Sequence, residues 1–462
     1  MKVKKELFTT NLIFGWIFLT CVLLAKYKIF SYVSIFFFAI HFVYYCILKN
    51  KEFALKYLAF LFISGVAVLG TAIIELFPSI YLVELRCYSS FVGSLPLIVF
   101  GYWLFLVVIN LVDKNYEFEI IRERIDELAK YKKFYDTINL IVLILFLVLF
   151  SSVATHPAFL LGVDRFAYAS QYSQFGMLKK IVSNAPLLVV FPILAIIYNK
   201  NFQRILGTLG VTIYILYFVW VGDKFGPFFS LICIFLLIFY KRILEKGRRF
   251  LKKILIISFG LFGGIVILAI VFSASISSYS SLTYFAQRGA QQGQLWWKTY
   301  EICKNIHPTE FGNEIKAVTN GKDTISANVG SNNGIYKIMY LCAPKEQVDS
   351  KLSTGSRYTE AGFATIYYYF GTMGVILFSC IMGGIVAATI NAFIRALNNG
   401  DYVKALIFLR FFLLERSSVT MFIFNNFVGI ISIASYLYLL LMKRKKILLN
   451  GNGGFGLVII KY

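Results

Sequence analysis

Long apolar runs alternate with short polar stretches along almost the whole chain. Many of these runs reach about 18 residues, the length of helix that crosses roughly 30 Å of hydrocarbon. The pattern predicts an all-α polytopic membrane protein with about twelve transmembrane helices, at 7–25, 29–48, 53–77, 91–112, 137–153, 181–198, 205–222, 225–240, 254–273, 362–390, 403–414 and 419–442. The eleventh run is short and carries Arg410, so we expect it to be tilted, broken or re-entrant.

One long polar segment interrupts this pattern. Residues 274–361 separate the ninth and tenth predicted spans and predict a large extracytoplasmic loop. Residues 1–273 would hold the first nine spans, with a cytoplasmic amphipathic segment at 113–136, and residues 362–442 the last three before a tail at 443–462. Lys and Arg residues gather in every second loop, which favours both termini in the cytoplasm and the large loop outside.

The composition agrees with a membrane protein. Hydrophobic residues make up 59% of the chain, charged residues 15%, and the mean hydropathy of +0.73 excludes a soluble globular domain. A formal net charge of +23 would suggest nucleic acid as the partner of a soluble protein. Here the basic residues are explained by membrane orientation, so we expect no nucleic-acid partner.

The sequence shows no pattern for a metal or a cofactor. Its seven cysteines lack CxxC and Cys/His spacings, and it has no Walker loop. It also lacks a DxD or a clustered carboxylate pair that would hold a divalent ion for a nucleotide-sugar. Cys303 and Cys342 share the large loop, where either a disulfide or two free thiols are compatible with the spacing.

Several charged residues lie at outward-facing ends of predicted spans. Ionisable groups at membrane depth are costly unless they face a polar cavity or a partner. Interfacial snorkelling explains some of them, namely Glu84, Arg86 and Lys224. A functional role is favoured for Arg288, Arg357 and Arg410, because converging guanidinium groups bind a phosphate or pyrophosphate in a fork.

Other residues near this face have two interpretations each. Trp296 and Trp297 suit either stacking on sugar faces in an acceptor channel or anchoring at the membrane interface. Asp164 and Arg165 suit a local ion pair or the lining of an acceptor channel. His307 precedes a proline in the loop, where a solvated or locally hydrogen-bonded histidine is commoner than a catalytic one.

The architecture and two motifs resemble the Wzy-type oligosaccharide repeat-unit polymerases and the related O-antigen ligases. The first motif is an arginine at the start of the large loop, Arg288 in RGAQQGQ at 288–294. The second is a polar residue, an apolar and aromatic run and Gly-x-x-Gly, from Glu360 to GTMG at 371–374. Ligases of this superfamily carry a histidine at the place of Glu360, so the difference favours a polymerase.

The resemblance implies a glycosyltransferase at the outer face of the bacterial cytoplasmic membrane. Such an enzyme joins undecaprenyl-pyrophosphate-linked oligosaccharide repeat units into a surface polysaccharide, O-antigen or capsule. The resemblance implies that Arg288 and Arg357 bind the pyrophosphate, with Arg410 or Arg416 assisting. Glu360 is the expected base for the acceptor hydroxyl, since a carboxylate in a partly dry site has a raised pKa suited to that task.

The resemblance also implies partners and leaves alternatives open. Asp164 and His307 are the reserve candidates for the base. The expected partners are the lipid-linked oligosaccharide, the bilayer, a flippase and a chain-length regulator, with no cofactor and no metal. An O-antigen ligase is one alternative, and a flippase or transporter of lipid-linked oligosaccharide is another. A flippase has no need of so long a polar loop, and the sequence shows no paired repeats.

Overall fold

The computed structural model describes residues 2–77, 79–113, 129–161, 168, 185–197, 201–223, 226–245, 247, 281–320, 329–399 and 401–451. Within these ranges the chain is helical except for loops and one short antiparallel hairpin, in which Tyr81 pairs with Tyr88 and Leu82 with Cys87. The prediction of an all-α membrane protein is confirmed at this level.

The first half of the chain forms long apolar helices. They are α1 (Lys2–Leu23), α2 (Lys28–Ile40), a π-helix (His41–Lys49), α3 (Lys51–Lys56), α4 (Leu58–Leu76), β1 (Tyr81–Leu82), β2 (Cys87–Tyr88), α5 (Leu95–Val112), α6 (Ala129–Val153), α7 (Ala158–Leu161), α8 (Val190–Ile197), α9 (Asn201–Trp220) and α10 (Gly226–Glu245). Pro96 lies in the first turn of α5, where a missing N–H costs no helical hydrogen bond. Helix α5 therefore begins sharply beside the β-hairpin.

The second half begins with the predicted large loop, which folds into short helices. These are α11 (Ser281–Ala290), α12 (Gln294–Ile302), a 3₁₀ turn (Pro308–Phe311), α13 (Gly312–Asn320), α14 (Gly334–Cys342) and α15 (Lys345–Ser353). They are followed by α16 (Gly362–Asn398), α17 (Tyr402–Met421), a 3₁₀ turn (Asn425–Phe427) and α18 (Ile430–Gly451). The loop is therefore a folded cap on the helices that follow it.

Six helices in the described ranges are long and apolar enough to cross a membrane. They include residues Lys28–Lys49, Leu58–Leu76, Leu95–Val112, Asp136–Val153, Phe202–Trp220 and Gly362–Asn398. Shorter apolar helices cover Thr9–Leu23, Ala185–Ile196, Gly226–Lys241 and Ile430–Met442. The predicted span at 254–273 and most of the amphipathic segment at 113–136 lie outside the described residues.

The short eleventh run lies in a continuous helix. Helix α17 has 20 residues, and its N-cap Asp401 accepts a hydrogen bond from the backbone N–H of Lys404. The chain leaves the helical conformation only after Met421, because Phe422 adopts a left-handed backbone with φ of 55°. Of the predicted alternatives, a break is found only at the C-terminal end of this helix.

Helix α16 is a hairpin of two helical arms. Gly371 has φ of 60° and ψ of −150°, a conformation essentially restricted to glycine, and it separates a short arm (residues 362–370) from a long arm (residues 372–398). A Cβ placed on Gly374 would lie 3.0 Å from the carbonyl oxygen of Ile366, eight positions earlier. The short arm therefore folds back along the long arm.

The long arm packs between α5 and α17. A Cβ on Gly101 of α5 would lie 2.9 Å from Val375, and Asn391 donates to the carbonyl of Val112 at 3.1 Å, so the long arm runs parallel to α5. Helix α17 runs the opposite way, with Phe422 5.9 Å from Phe378 between ring centroids. These three helices form the core on which the loop rests.

Glu84 connects the folded loop to the β-hairpin. Its carboxylate accepts hydrogen bonds from Gln294 and from Lys351, the latter at 2.9 Å, and its carbonyl accepts one from Tyr358 at 2.9 Å. Glu84 is only 8% exposed. Its predicted role as a snorkelling interfacial charge is therefore corrected, because a buried carboxylate with two partners helps to hold the loop in place.

Candidate functional site

Glu360 lies where the loop enters the α16 hairpin. Its backbone is left-handed, with φ of 58°, which is uncommon for a residue with a side chain. The next residue, Ala361, donates its N–H to the carbonyl of Thr420 at 2.6 Å. A Cβ on Gly362 would lie 1.8 Å from the carbonyl of Val419, so only glycine permits this approach to the end of α17. The contacts of Ala361 and Gly362 with the end of α17 thus fix the point at which the chain enters the hairpin.

The carboxyl of Glu360 reaches toward α5. Its Oε2 accepts a hydrogen bond from the hydroxyl of Tyr102 at 3.3 Å. Tyr102 is seven residues into α5, or about 10 Å from the first residue of that helix at 1.5 Å per residue. The ring of Tyr102 packs on Phe363 with 4.5 Å between centroids. Glu360 therefore lies between α5 and the entry of the hairpin, beside Tyr102 and Phe363, and we call this place the recess.

Burial raises the pKa of Glu360 to about 8, and the hydrogen bond from Tyr102 opposes part of that rise. Desolvation penalises the charged carboxylate, whereas a donor to the carboxylate favours it. Glu360 is partly exposed, so its carboxyl is not sealed from solvent. A partly exposed carboxyl that changes charge near neutral pH suits proton transfer.

The turn after Arg288 lies beside Glu360. Thr359 donates to the side-chain oxygen of Gln292 at 3.1 Å and contacts the carbonyl of Gln291 at 3.5 Å. Arg288 is exposed and donates to the side chain of Gln291 at 3.0 Å. The first predicted motif and the residue preceding Glu360 are therefore neighbours in space.

Close backbone packing holds this turn against α4. A Cβ on Gly70 would lie 2.7 Å from both the carbonyl of Gly289 and the amide nitrogen of Gly293. A Cβ on Gly293 would lie 2.2 Å from the amide nitrogen of Thr71. The glycines of the RGAQQGQ motif therefore have a packing role, since they let the turn sink onto the helix.

Arg357 lies three residues before Glu360, on the loop side of the recess. Its guanidinium donates to the hydroxyl of Tyr336 at 3.1 Å. Tyr336 belongs to α14, whose first residue Gly334 has φ of 49° and would clash at 2.7 Å with the carbonyl of Phe422 if it carried a Cβ. Helix α14 thus brings its end over the end of α17 and positions Arg357.

Hydrogen bonds to Glu314 connect α14 to the α16 hairpin. One oxygen of its buried carboxyl accepts hydrogen bonds from the N–H of Gly334 at 2.5 Å and from the hydroxyl of Tyr369 at 2.6 Å. Burial raises the pKa of Glu314, and these donors oppose the rise. Sequence patterns gave no reason to single out this carboxyl, because its partners are 20 and 55 positions away.

Arg416 lies below the hairpin entry on the same face of α17. Thr420, which accepts the N–H of Ala361, is one helical turn above Arg416 and donates its hydroxyl to the Arg416 carbonyl at 3.1 Å. The guanidinium of Arg416 donates to Ser230 of α10 at 2.9 Å. Within the described ranges no carboxylate forms an ion pair with Arg416 or Arg357.

Arg410 does not lie on the face of α17 that holds the hairpin entry. Its guanidinium donates to Ser432 at 2.7 Å and contacts the carbonyl of Asn426 at 3.4 Å, so it faces α18. Residues six apart on a helix are separated by about 120° around the axis, which puts Arg410 on a different side of α17 from Arg416. Of the two arginines named as assistants, only Arg416 shares the face that holds the hairpin entry.

The two tryptophans have a structural position. Trp296 donates its indole N–H to the carbonyl of Ser94 at 3.1 Å, and Trp297 donates to that of Ser90 at 2.9 Å. They are 2% and 0% exposed, so neither ring offers a face to a sugar. Their predicted place in an acceptor channel is corrected, because both rings serve to dock α12 on the segment before α5.

His307 lies at the tip of the α16 hairpin. Its ring stacks on Tyr368 with 4.5 Å between centroids, and its Nδ1 is 3.7 Å from Glu310. Its backbone N–H donates to the carbonyl of Tyr368 at 3.2 Å. These contacts match the locally hydrogen-bonded histidine rather than a base next to Glu360. Asp164, the other reserve candidate for the base, and Arg165 lie outside the described residues.

The cysteines and acids of the described part suggest no covalent or metal chemistry. Cys303 and Cys342 are both free thiols there, and burial raises their pKa values to about 11 and about 12. Where the structure is described, no group of three or more His, Cys, Asp or Glu side chains is arranged to hold a metal ion. The disulfide that the spacing allowed is thus not formed.

Three residues of the site were not anticipated from the sequence: Tyr102, Tyr336 and Thr359. Each is an ordinary hydroxyl residue in an apolar helix or loop, and its importance depends on a partner far along the chain. Tyr102 and Glu360 are 258 positions apart. The signal that pointed to their neighbourhood was the pair of motifs around Arg288 and Glu360.

A family model described as a family of unknown function (DUF6418) matches residues 328–437. The matched stretch covers less than a quarter of the 462 residues, from just before α14 into α18. It contains Arg357, Glu360 and Arg416, whereas Arg288 and Tyr102 lie outside it. No curated protein and no solved structure matches the chain.

Proposed function

We propose that the protein is a membrane glycosyltransferase that polymerises undecaprenyl-pyrophosphate-linked oligosaccharide repeat units into surface polysaccharide. The observation that carries the proposal is the position of Glu360, a partly exposed carboxyl beside Tyr102. Arg357 lies three residues before it, and Thr359 links it to the turn that follows Arg288. A candidate base and two candidate diphosphate ligands therefore belong to adjoining segments.

The proposed reaction transfers a glycan from one lipid carrier to another unit. The acceptor hydroxyl oxygen bonds to the anomeric carbon of the donor, and its proton moves to Glu360. The bond between that carbon and the diphosphate oxygen breaks, and its electron pair leaves with the polyprenyl diphosphate. A pKa near 8 suits Glu360 to this step, because the base then gains its proton at little cost near working pH.

The leaving diphosphate gains negative charge in the transition state. Fixed guanidinium groups that bind it more tightly there lower the barrier. Arg357, oriented by Tyr336, and Arg288 are the proposed ligands at the loop, with Arg416 as the deeper one. The lack of a carboxylate partner for Arg357 and Arg416 in the described ranges supports this role, because their charge is available to a ligand.

The proposed topology has about twelve spans, with the large loop and the recess at the outer face of the bacterial cytoplasmic membrane. Both termini would be cytoplasmic, as the distribution of Lys and Arg favours. The lipid-linked donor would approach from the bilayer, and a flippase and a chain-length regulator are the proposed partners. The reaction as proposed uses no metal and no cofactor.

A transporter of lipid-linked oligosaccharide is the second candidate, and one observation favours it. Interrupted helices that meet inside a bundle mark the binding sites of many transporters, and the hairpin at Gly371 and the break at Phe422 are of this kind. The polymerase is preferred because the recess also holds a carboxyl with a pKa suited to proton transfer, which binding alone does not need.

Deletion of the gene in the producing strain distinguishes these functions. Loss of a polymerase leaves single repeat units attached to the lipid anchor, and loss of a ligase leaves long chains unattached. Loss of a flippase leaves no surface glycan. The deletion strain is then complemented with wild type, Glu360→Gln and the exposed-carboxyl control Glu346→Gln. We expect only Glu360→Gln to fail, and long chains from that variant would remove Glu360 from the mechanism.

A further inference from the structure

The side chain of the candidate base is hydrogen-bonded to a residue of α5, far away in the sequence. The hydroxyl of Tyr102 is 3.3 Å from Oε2 of Glu360. Tyr102 itself is 1% exposed and is enclosed by the ring of Phe363 at 4.5 Å, so its hydroxyl has a defined position. The only hydrogen bond of the Glu360 side chain in the described ranges is this one.

The two oxygens of Glu360 therefore have different surroundings. Oε2 is held by Tyr102, whereas Oε1 has no protein donor in the described part of the chain. Glu360 is partly exposed and its unbonded Oε1 is not fully buried, so this oxygen is the one that an incoming hydroxyl reaches. A base works only when its acceptor atom lies within hydrogen-bond reach of the proton it takes. Because the hydrogen bond from Tyr102 fixes Oε2, it also fixes the direction in which Oε1 points.

We propose that Tyr102 is a positioning residue for Glu360, which turns Oε1 into the recess and stabilises the carboxylate after its proton is lost. The inference deepens the proposed function and rests on it for the chemical role, although the contact between the two side chains does not. The left-handed backbone of Glu360 agrees with this, because a strained residue at a site persists only where surrounding contacts determine it.

The hydroxyl of Tyr102 affects the ionisation of Glu360 as well as the orientation of its carboxyl. A donor to the carboxylate favours the ionised form, and a hydrogen bond to a charged group contributes about 1.5–3 kcal/mol. Tyr102→Phe removes this donor and keeps the ring on Phe363. We therefore expect the variant to raise the pH at which Glu360 loses its proton by about one unit or more.

The structure offers a matched control at the other end of the bundle. Tyr57 is also fully buried, and its hydroxyl donates to a carboxylate, that of Asp113, at 2.7 Å. Tyr57→Phe therefore removes the same kind of hydrogen bond from the same kind of environment. Asp113 follows α5 at the end opposite to the recess, so this variant has no route to Glu360.

The test has one readout that needs no substrate. Infrared difference spectra of the purified full-length protein across pH, with Glu360→Gln as the reference, isolate the carboxyl band of Glu360. We expect Tyr102→Phe to move the midpoint of this band upward by about one pH unit, and Tyr57→Phe to leave it in place. An unchanged midpoint in Tyr102→Phe would overturn the proposal.

The second readout separates this proposal from the proposed function. Chain extension is measured across pH with lipid-linked repeat units purified from the deletion strain. We expect the rising limb of the rate to move with the infrared midpoint in Tyr102→Phe. If the midpoint moves but wild type extends no chains, Tyr102 still positions Glu360 and the polymerase assignment fails. If wild type extends chains and neither readout moves in Tyr102→Phe, only the positioning role fails.

Discussion

Phe363 and Phe378 belong to one helical element and are fifteen positions apart, yet their ring centroids are 5.4 Å from each other. In a straight α-helix that separation along the chain corresponds to about 22 Å. The contact exists because Gly371 reverses the chain between them. The short arm begins just after Glu360. The chain reversal at Gly371 therefore also fixes the position of Glu360 along the helices.

Replacing Gly371 by Ala should open or strain this hairpin. The conformation at Gly371 is essentially restricted to glycine, and backbone strain of this kind costs about 1–3 kcal/mol. The added Cβ would also lie 3.1 Å from Ile306. We expect a melting temperature lower by several degrees in detergent and a loss of chain extension. Protection of residues 360–370 from hydrogen exchange should fall as well.

Gly384→Ala is the control for that change, because it lies on the long arm of the same hairpin. A Cβ there meets nothing within 4 Å. Alanine is favoured over glycine inside a helix by about 0.8–1.0 kcal/mol, so this variant should be as stable as wild type or slightly more stable. Equal melting temperatures for the two variants would contradict the role assigned to Gly371.

The sequence predicted the membrane class and the two segments that form the recess, but only part of its geometry. Hydropathy identifies long helices from local composition, so the apolar runs at α4, α5 and α16 were found. The motifs around Arg288 and Glu360 identified two segments that are neighbours in the structure. The hairpin was not found, because hydropathy does not reveal that Gly371 reverses the chain.

Long-range contacts explain the remaining differences. Glu84 was interpreted as a surface charge because its neighbours in sequence are interfacial, whereas its partners Gln294 and Lys351 are more than 200 positions away. The tryptophans had two predicted roles, stacking on sugar faces and anchoring at the membrane interface. Their indole N–H groups instead meet the carbonyls of Ser90 and Ser94.

Glu360→Gln should remove chain extension without removing the protein from the membrane. The amide keeps the size of the carboxyl and can still bond to Tyr102, but it takes no proton from an acceptor hydroxyl. General base catalysis contributes about 100-fold to 10,000-fold, so we expect a loss in that range. The rate is measured with purified lipid-linked units, and the amount of folded protein is measured by size-exclusion chromatography in detergent.

The stability of the protein should depend on Glu360 in a defined direction. Burial raises its pKa from 4.5 to about 8, so the folded protein holds a proton on this acid that the unfolded chain has released. This contribution to stability is complete below about pH 4.5 and is lost as the pH rises to about 8. Glu360→Gln should flatten the fall in melting temperature across that window, and an unchanged pH profile would contradict the burial of the acid.

Arg357→Lys should reduce chain extension strongly even though the charge is kept. Lysine is a point charge on a flexible stem, whereas the planar guanidinium binds two oxygens of a diphosphate at once and is oriented here by Tyr336. Arg288→Lys should act in the same direction. Arg86→Lys is the matched control, because Arg86 lies in the β-hairpin between α4 and α5, and its described bond is to Gln347 at 3.1 Å.

The measurement for these arginines is the rate of chain extension as a function of donor concentration. Because fixed guanidinium groups act on the charge that develops as the diphosphate leaves, the maximal rate should fall more than the apparent affinity for the donor. Loss of affinity alone would instead make the arginines general binding groups for the lipid carrier. Normal rates in both lysine variants, with Arg86→Lys also normal, would remove the diphosphate ligands from the proposed mechanism.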